Sequence, residues 1–228
     1  MAEQRKIVRD AFDNFGRSMV EYSHLRQLWR RRWDGIIDVQ GDGLAWAIQD
    51  RRPSIVFTAH IGNWELAPLV LAARGKPALL VYRAPNNPLV DTMIANVRSQ
   101  YAAGLAPKGA DGLRQIISHL QDGGTVYMVV DQKTNTGPAI PFFGRGAHTG
   151  KAIARIAMKY GCQLIPAHCE RVDGSRFRIT FEPPWKIEGN ASDENDVYSA
   201  LSRINTKIED WVRASPGQWM WMHKRWPD

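Results

Sequence analysis

Ser54-Ile-Val-Phe-Thr-Ala59 runs directly into His60-Ile-Gly-Asn-Trp-Glu65, which in turn opens the apolar segment Leu66-Ala-Pro-Leu-Val-Leu71. The first six residues are apolar or small and rich in β-branched types, as expected for a strand buried on both faces. The segment beyond Glu65 predicts a helix near 64–74. Titratable residues at the C-terminal end of such a strand occupy the usual place for catalytic groups in α/β folds.

Working outward, the alternation repeats. Gly35–Gly41 predicts a strand and 42–50 a helix; Ala78–Arg83 a strand, followed by helices at 88–101 and 110–121; Thr125–Val130 a strand. After a Gly- and Pro-rich loop at 131–150 come a helix at 151–160, a strand at Gln163–Ala167 and a hairpin in which Asp173-Gly174 joins Cys169–Val172 to Arg176–Phe181. A last helix spans 193–213. Strands alternating with helices predict an α/β fold, a single domain with a mixed, largely parallel central sheet flanked by helices. Ile7, Phe12, Phe15, Met19, Tyr22 and Leu28 recur at helical intervals, so an N-terminal helical segment, about 1–33, is expected to dock on a catalytic core of about 35–226.

The 228 residues are 44% hydrophobic, ample for a buried core, and 30 Lys and Arg against 23 Asp and Glu give a net charge of +7. That balance favours an anionic partner without choosing among phosphate, acidic lipid and nucleic acid. Cys162 and Cys169 fit neither a disulfide framework nor zinc knuckles, which leaves reduced thiols. No stretch reaches the roughly 20 apolar residues of a membrane span. Nine tryptophans include two groups mixed with bases, residues 29–33 and 219–226, which suit either a membrane interface or ordinary packing with snorkelling arginines.

On a continuous helix, residues five apart lie about 140° apart. His60 and Glu65 can therefore meet only if Gly62-Asn63 breaks the chain between them. With Asn63 as a helix cap, Glu65 falls in the first turn and the imidazole folds against its carboxylate. A histidine so held is a general base for a hydroxyl, and no serine or cysteine nucleophile is needed. Six histidines and 23 acids give about 0.6 chance pairs at this spacing, and His168/Asp173 is one, with the acid in a turn and the histidine in a strand. Placement at a strand-to-helix junction, not spacing, distinguishes the first pair.

His60-Ile-Gly-Asn-Trp-Glu65 resembles the His-x4-Glu block of the bacterial lipid A (lauroyl/myristoyl) acyltransferases, a branch of the glycerolipid acyltransferase-like proteins. Further blocks follow in the family's order: Val81–Asp91, which contains Arg83; Arg98; Asp131-Gln132; Pro141-Phe-Phe-Gly-Arg145; Ile165-Pro166; Glu170-Arg171; and the tail Trp221–Trp226. Together they span about 55–226. The resemblance implies a glycerolipid acyltransferase-like fold and an acyl-carrier-protein donor. Its implied acceptor is a hydroxyl of an anionic lipid A precursor. It assigns catalysis to His60 and Glu65, and substrate contacts to Asn63, Arg83, Arg98, Asp131, Arg145 and Arg171. Oxyanion donors are expected from Arg98 and from backbone N–H groups after Gly62. No metal, redox cofactor or nucleic acid is called for. Members of the family begin with a longer, membrane-spanning segment that this sequence does not contain, so the expectation is a peripheral enzyme on the cytoplasmic face of the inner membrane.

Two rival readings remain. Gly144-Arg-Gly-Ala-His-Thr-Gly150-Lys151 superficially resembles a dinucleotide loop, but its glycine spacing and Pro138 and Pro141 argue against that. A basic membrane-surface or nucleic-acid module would use the Trp/Arg clusters and be indifferent to His60. An acyl-CoA-dependent enzyme acting on a glycerophospholipid is the nearest alternative within acyl transfer.

Overall fold

The computed structural model describes residues 1–31, 35–49 and 52–227. Helices α1 (Ala2–Tyr22) and α2 (Leu25–Arg31) precede β1 (Ile37–Gln40) and α3 (Gly43–Gln49). The alternation continues through β2 (Ser54–Thr58), α4 (Leu66–Ala73), β3 (Leu79–Tyr82), α5 (Pro88–Arg98), β4 (Gly104–Pro107), α6 (Ala110–Gln121) and β5 (Thr125–Val129). Then come β6 (Ala139–Phe142), β7 (Arg145–His148), α7 (Ala152–Tyr160), β8 (Gln163–Asp173), β9 (Arg176–Phe181), β10 (Trp185–Lys186) and α8 (Glu194–Ala214).

The central sheet has the order β1-β9-β8-β2-β5-β3-β4, with β10 added to β8. From β8 to β4 every pairing is parallel; β9 runs antiparallel to β8 and carries β1 parallel to itself. This is the mixed, largely parallel α/β sheet expected. All five residues of β2 are buried, because it lies mid-sheet under helices on both faces. Ile55 and Phe57 point into a core shared with α6, α7 and α8, while Val56 points to the opposite core, shared with α3 and α4. The period-2 alternation of a strand thus serves two apolar layers.

Several strands depart from the sequence expectation, the two-residue β10 among them. Strand β4 is an edge strand flanked by glycine and proline, tolerated there because one side has no partner to satisfy. Within the supposed 131–150 loop, β6 and β7 pair as a hairpin around Phe143-Gly144. Both turn residues have positive φ, 51° and 72°, the geometry of a type I′ turn. A phenylalanine in a position that usually takes Asn or Gly hid the turn. Gly144 and Gly146 therefore belong to this hairpin and not to a phosphate loop opening a helix. Finally, β8 continues through His168 to Asp173, with a shift of register between Arg171 and Asp173.

Helix α1 docks only partly as expected: Tyr22 of the apolar stripe is buried and Phe15 half-buried, but the rest of the docked side is different. Its buried residues are Ala11, Asn14, Ser18 and Tyr22, whereas Phe12 and Met19 face outward. The cause is polar: Asn14 Nδ2 donates to the carbonyls of Gly62 (3.0 Å) and Gln218 (3.1 Å), and Ser18 Oγ donates to Gly62 O (3.1 Å). In the C-terminal Trp/Arg group Trp219 and Arg225 are each 1% exposed and Trp226 is half-buried, so packing accounts for these, whereas Trp221 and Lys224 are exposed. In the other group, Arg32 and Trp33 lie outside the described residues.

Gly62 has φ +58°, and a Cβ there would fall 2.1 Å from the carbonyl oxygen of Cys169. Gly62→Ala is expected to cost at least about 2 kcal/mol through left-handed strain and this backbone clash. An unchanged melting temperature would contradict that account.

Candidate active site

The register of two neighbouring strands builds the site. Thr58 of β2 is paired with Val129 of the parallel strand β5, so the residues two further on, His60 and Asp131, leave the sheet side by side. His60 Nδ1 lies 2.6 Å from Asp131 Oδ1, and the His60 backbone N–H donates to Asp131 Oδ2 at 2.9 Å. Trp219 Nε1 donates to the same Oδ2 at 2.8 Å. An ionised carboxylate only accepts, so the proton between the ring and Asp131 belongs to Nδ1, and in the neutral imidazole Nε2 is left as the lone-pair nitrogen. Gln132 places its amide nitrogen 3.3 Å from Nε2, and the edge of Trp64 packs on the ring at 4.8 Å.

Asp131 is 3% exposed. Burial opposes its ionisation, but the attraction of His60 and the hydrogen bonds from His60 and Trp219 together outweigh it and hold the carboxyl below the usual range. A depressed folded-state value stabilises the fold fully above the unfolded value of about 3.9, and this contribution is lost as pH falls through the folded value. Asp131 thus stays charged throughout the neutral range.

Glu65 is not the carboxylate on His60. It forms the N-cap of α4, and its side chain turns toward α5, where Arg98 donates through Nε (3.1 Å) and Nη2 (2.5 Å), with Tyr101 Oη at 3.4 Å. The break at Gly62 was read correctly, but the turn it permits sets Trp64, not Glu65, against the imidazole. Asn63, the expected cap, lies two residues before the observed one, and its Oδ1 accepts from the Glu65 N–H at 3.2 Å. Its Nδ2 donates to Glu21 Oε2 at 2.9 Å.

The expected oxyanion donors are mostly engaged elsewhere. Arg98 holds Glu65 bidentately, Gly62 N–H donates to Gln218 O, and Leu66 N–H donates to Asn63 O. Arg171 is enclosed by Glu21 (2.5 Å), Asn14 Oδ1 (3.0 Å) and the Phe177 ring, and so fastens α1 to β8. Arg83 and Arg145 are exposed; Arg145 lies over Trp226, and Arg83 has no ion-pair partner among the described residues. His168 stacks on Trp211 while Asp173 pairs with Arg176, so the second His-x4-acid pair is apart, as its strand-and-turn placement required.

Sequence reasoning missed the wall of the site contributed by the C-terminal segment. Ile61 bridges Trp219, Met220 N–H donates to His60 O at 3.0 Å, and Lys133 N–H donates to His223 Nε2 at 2.8 Å. Buried Arg225 anchors this segment through the carbonyl of His148 (2.8 Å) and Thr149 Oγ1 (2.7 Å). The signals were the resemblance of the tail Trp221–Trp226 to the family's ending and the density of tryptophan and base after 218, which suits a membrane interface equally well.

The profile of the family described as "Bacterial lipid A biosynthesis acyltransferase" matches residues 1–228. The chain belongs to this family. The lipid A biosynthesis palmitoleoyltransferase of Escherichia coli K12 is 26% identical over 232 residues, covering 98% of this chain and 72% of that protein. The lauroyltransferase of the same strain is 25% identical over 239 residues, with 98% and 72% covered, and the myristoyltransferase 23% identical over 231 residues, with 98% and 69%. Among solved structures, the 1-acyl-sn-glycerophosphate acyltransferase of Thermotoga maritima aligns with a TM-score of 0.49 and 14% identity, covering 93% of this chain and 91% of that one.

As a lipid A biosynthesis acyltransferase, the protein carries out acyl transfer from an acyl-thioester donor. Its two thiols are poor nucleophiles for such chemistry: burial pushes Cys162 up to about 11 and Cys169 up to about 12. Among the described residues, no helix is long and apolar enough to cross a membrane.

Proposed function

We propose that His60 is the general base for transfer of a fatty acyl group from an acyl-carrier-protein thioester to a hydroxyl of a lipid A precursor. The observation that carries this reading is the 2.6 Å contact of His60 Nδ1 with buried Asp131, which leaves Nε2 as the proton acceptor. Nε2 takes the hydroxyl proton as the oxygen attacks the thioester carbonyl, and Asp131 stabilises the imidazolium. Collapse of the tetrahedral intermediate expels the carrier thiolate, which takes that proton from Nε2. Gln132, 3.3 Å from Nε2, supplies a side-chain N–H for the oxyanion.

Glu65 and Arg98 serve as a positioning pair that fixes the chain immediately after His60. Asn63 and Arg171 hold α1 against the same loop, whereas exposed Arg83 and Arg145 are available to the acceptor's phosphates. The net charge of +7 suits an acidic carrier protein and an anionic glycolipid, met at the cytoplasmic membrane surface.

The test offers purified protein a labelled acyl-carrier-protein thioester with either a lipid A precursor or lysophosphatidic acid, and identifies products by mass spectrometry. Acylation of a hydroxyacyl chain of the glycolipid is expected. Transfer to lysophosphatidic acid alone, or only from acyl-CoA, would replace this reading with the glycerophospholipid one.

A further inference from the structure

Helix α1 turns several of its large apolar residues away from the core on which Ala11 and Tyr22 dock. At 3.6 residues per turn, Val8, Phe12, Phe15 and Met19 fall within about 60° of one another. Phe12 is 59% exposed, and Val8 and Met19 are exposed as well, while the docked side carries Asn14 and Ser18. A second group of exposed apolar residues stands near the C-terminal end of the helix. Tyr22 Oη donates to Ile94 O at 3.2 Å, which sets the C-terminal end of α1 beside α5. No residue of α5 is fully buried, and one turn apart on it stand Leu89, 80% exposed, and Met93, also exposed.

We propose that the α1 stripe, with Leu89 and Met93 of α5, is the face by which this protein lies on an anionic lipid surface. The inference rests on the reading of a membrane-borne acceptor and names the part of the chain that meets the membrane. Charge decides between this occupant and another protein chain. The first 33 residues carry eight Lys and Arg against four Asp and Glu, a net +4 within the total of +7. Exposed Arg5 and Arg26 on α1 and α2, and Arg83 just ahead of α5, have no ion-pair partner among the described residues. An outward apolar stripe flanked by uncommitted bases is the composition of a helix lying in the plane of an acidic interface.

The placement also has a use. Asn14 and Ser18, on the inner side of α1, both bond the carbonyl of Gly62, two residues from His60, and the last residue of α5 is Arg98, which grips Glu65. A bilayer held on α1 and α5 is therefore held against the two segments that frame the catalytic loop.

The experiment is flotation of the full chain with vesicles of phosphatidylglycerol and phosphatidylethanolamine, against vesicles of phosphatidylcholine alone. Four proteins are compared: wild type, Phe12→Ser/Met19→Ser, Leu89→Ser/Met93→Ser and His60→Ala. Wild type and His60→Ala are expected to bind the acidic vesicles equally and to lose affinity as salt rises. Each double variant is expected to bind at least about tenfold more weakly while melting like wild type. Double variants that float like wild type would overturn the proposal. So would a wild type that is dimeric in buffer and becomes monomeric in the same variants, because a second copy would then cover the face. Activity on detergent-dispersed acceptor separates this from the functional reading. Vesicle binding lost in the variants supports the face even if no glycolipid is ever acylated, whereas normal acylation with unchanged vesicle binding removes the face and leaves the function standing.

Discussion

Asp131→Asn is expected to lower kcat for acyl transfer by roughly 10³–10⁴-fold with little change in KM. Asparagine is nearly isosteric with aspartate, and its oxygen can still accept from the His60 backbone and from Trp219, which converge on one carboxylate oxygen. What it cannot do is accept at every contact. If its oxygen faces Trp219 and the His60 backbone, its NH2 meets Nδ1, and the imidazole is forced into the tautomer that protonates Nε2. The base is then blocked, and no carboxylate remains to stabilise an imidazolium. His60→Ala should be at least as damaging. The double variant should be no worse than His60→Ala alone, because the two residues act as one unit. Steady-state assays of the three proteins, each shown to be folded by circular dichroism, provide the check. An Asp131→Asn enzyme within threefold of wild type would return the orienting role to another group.

That prediction also marks where the sequence ran out. The strand at 54–58 and the titratable residue beyond it were legible because a buried parallel strand writes a continuous apolar run. The partner of His60 was not, since it depends on which strand lies beside β2 and in what register. Sequence neighbours suggested Glu65, five residues away, whereas the sheet supplies Asp131, 71 residues away, by pairing Thr58 with Val129. Helix α1 misled for a related reason. Its apolar period was real, yet the energetically decisive contacts are hydrogen bonds from Asn14 and Ser18 to the Gly62 carbonyl, and periodicity says nothing about those. The β6–β7 hairpin escaped because Phe143 takes a left-handed conformation that its residue type seldom adopts.

Arg98→Met is expected to destabilise the fold by about 3–5 kcal/mol, a fall in melting temperature of roughly 6–20 °C for a chain of this size. The pair it breaks is interior: the side chains of Arg98 and Glu65 are only 16% and 9% exposed. Tyr101 and Tyr127, both buried, lie around the carboxylate and screen it from water. Removing the guanidinium strands a charge there, whereas deleting one partner of the solvent-exposed pair Lys6–Asp10 should leave the melting temperature nearly unchanged. Glu65→Leu/Arg98→Met removes both charges and should regain most of the stability, because a buried ion pair and an apolar replacement of similar volume differ little in net worth. Thermal melts of the four proteins test this. If Glu65→Leu/Arg98→Met melts as low as Arg98→Met, the cost lies in lost packing between α4 and α5 and not in the uncompensated charge.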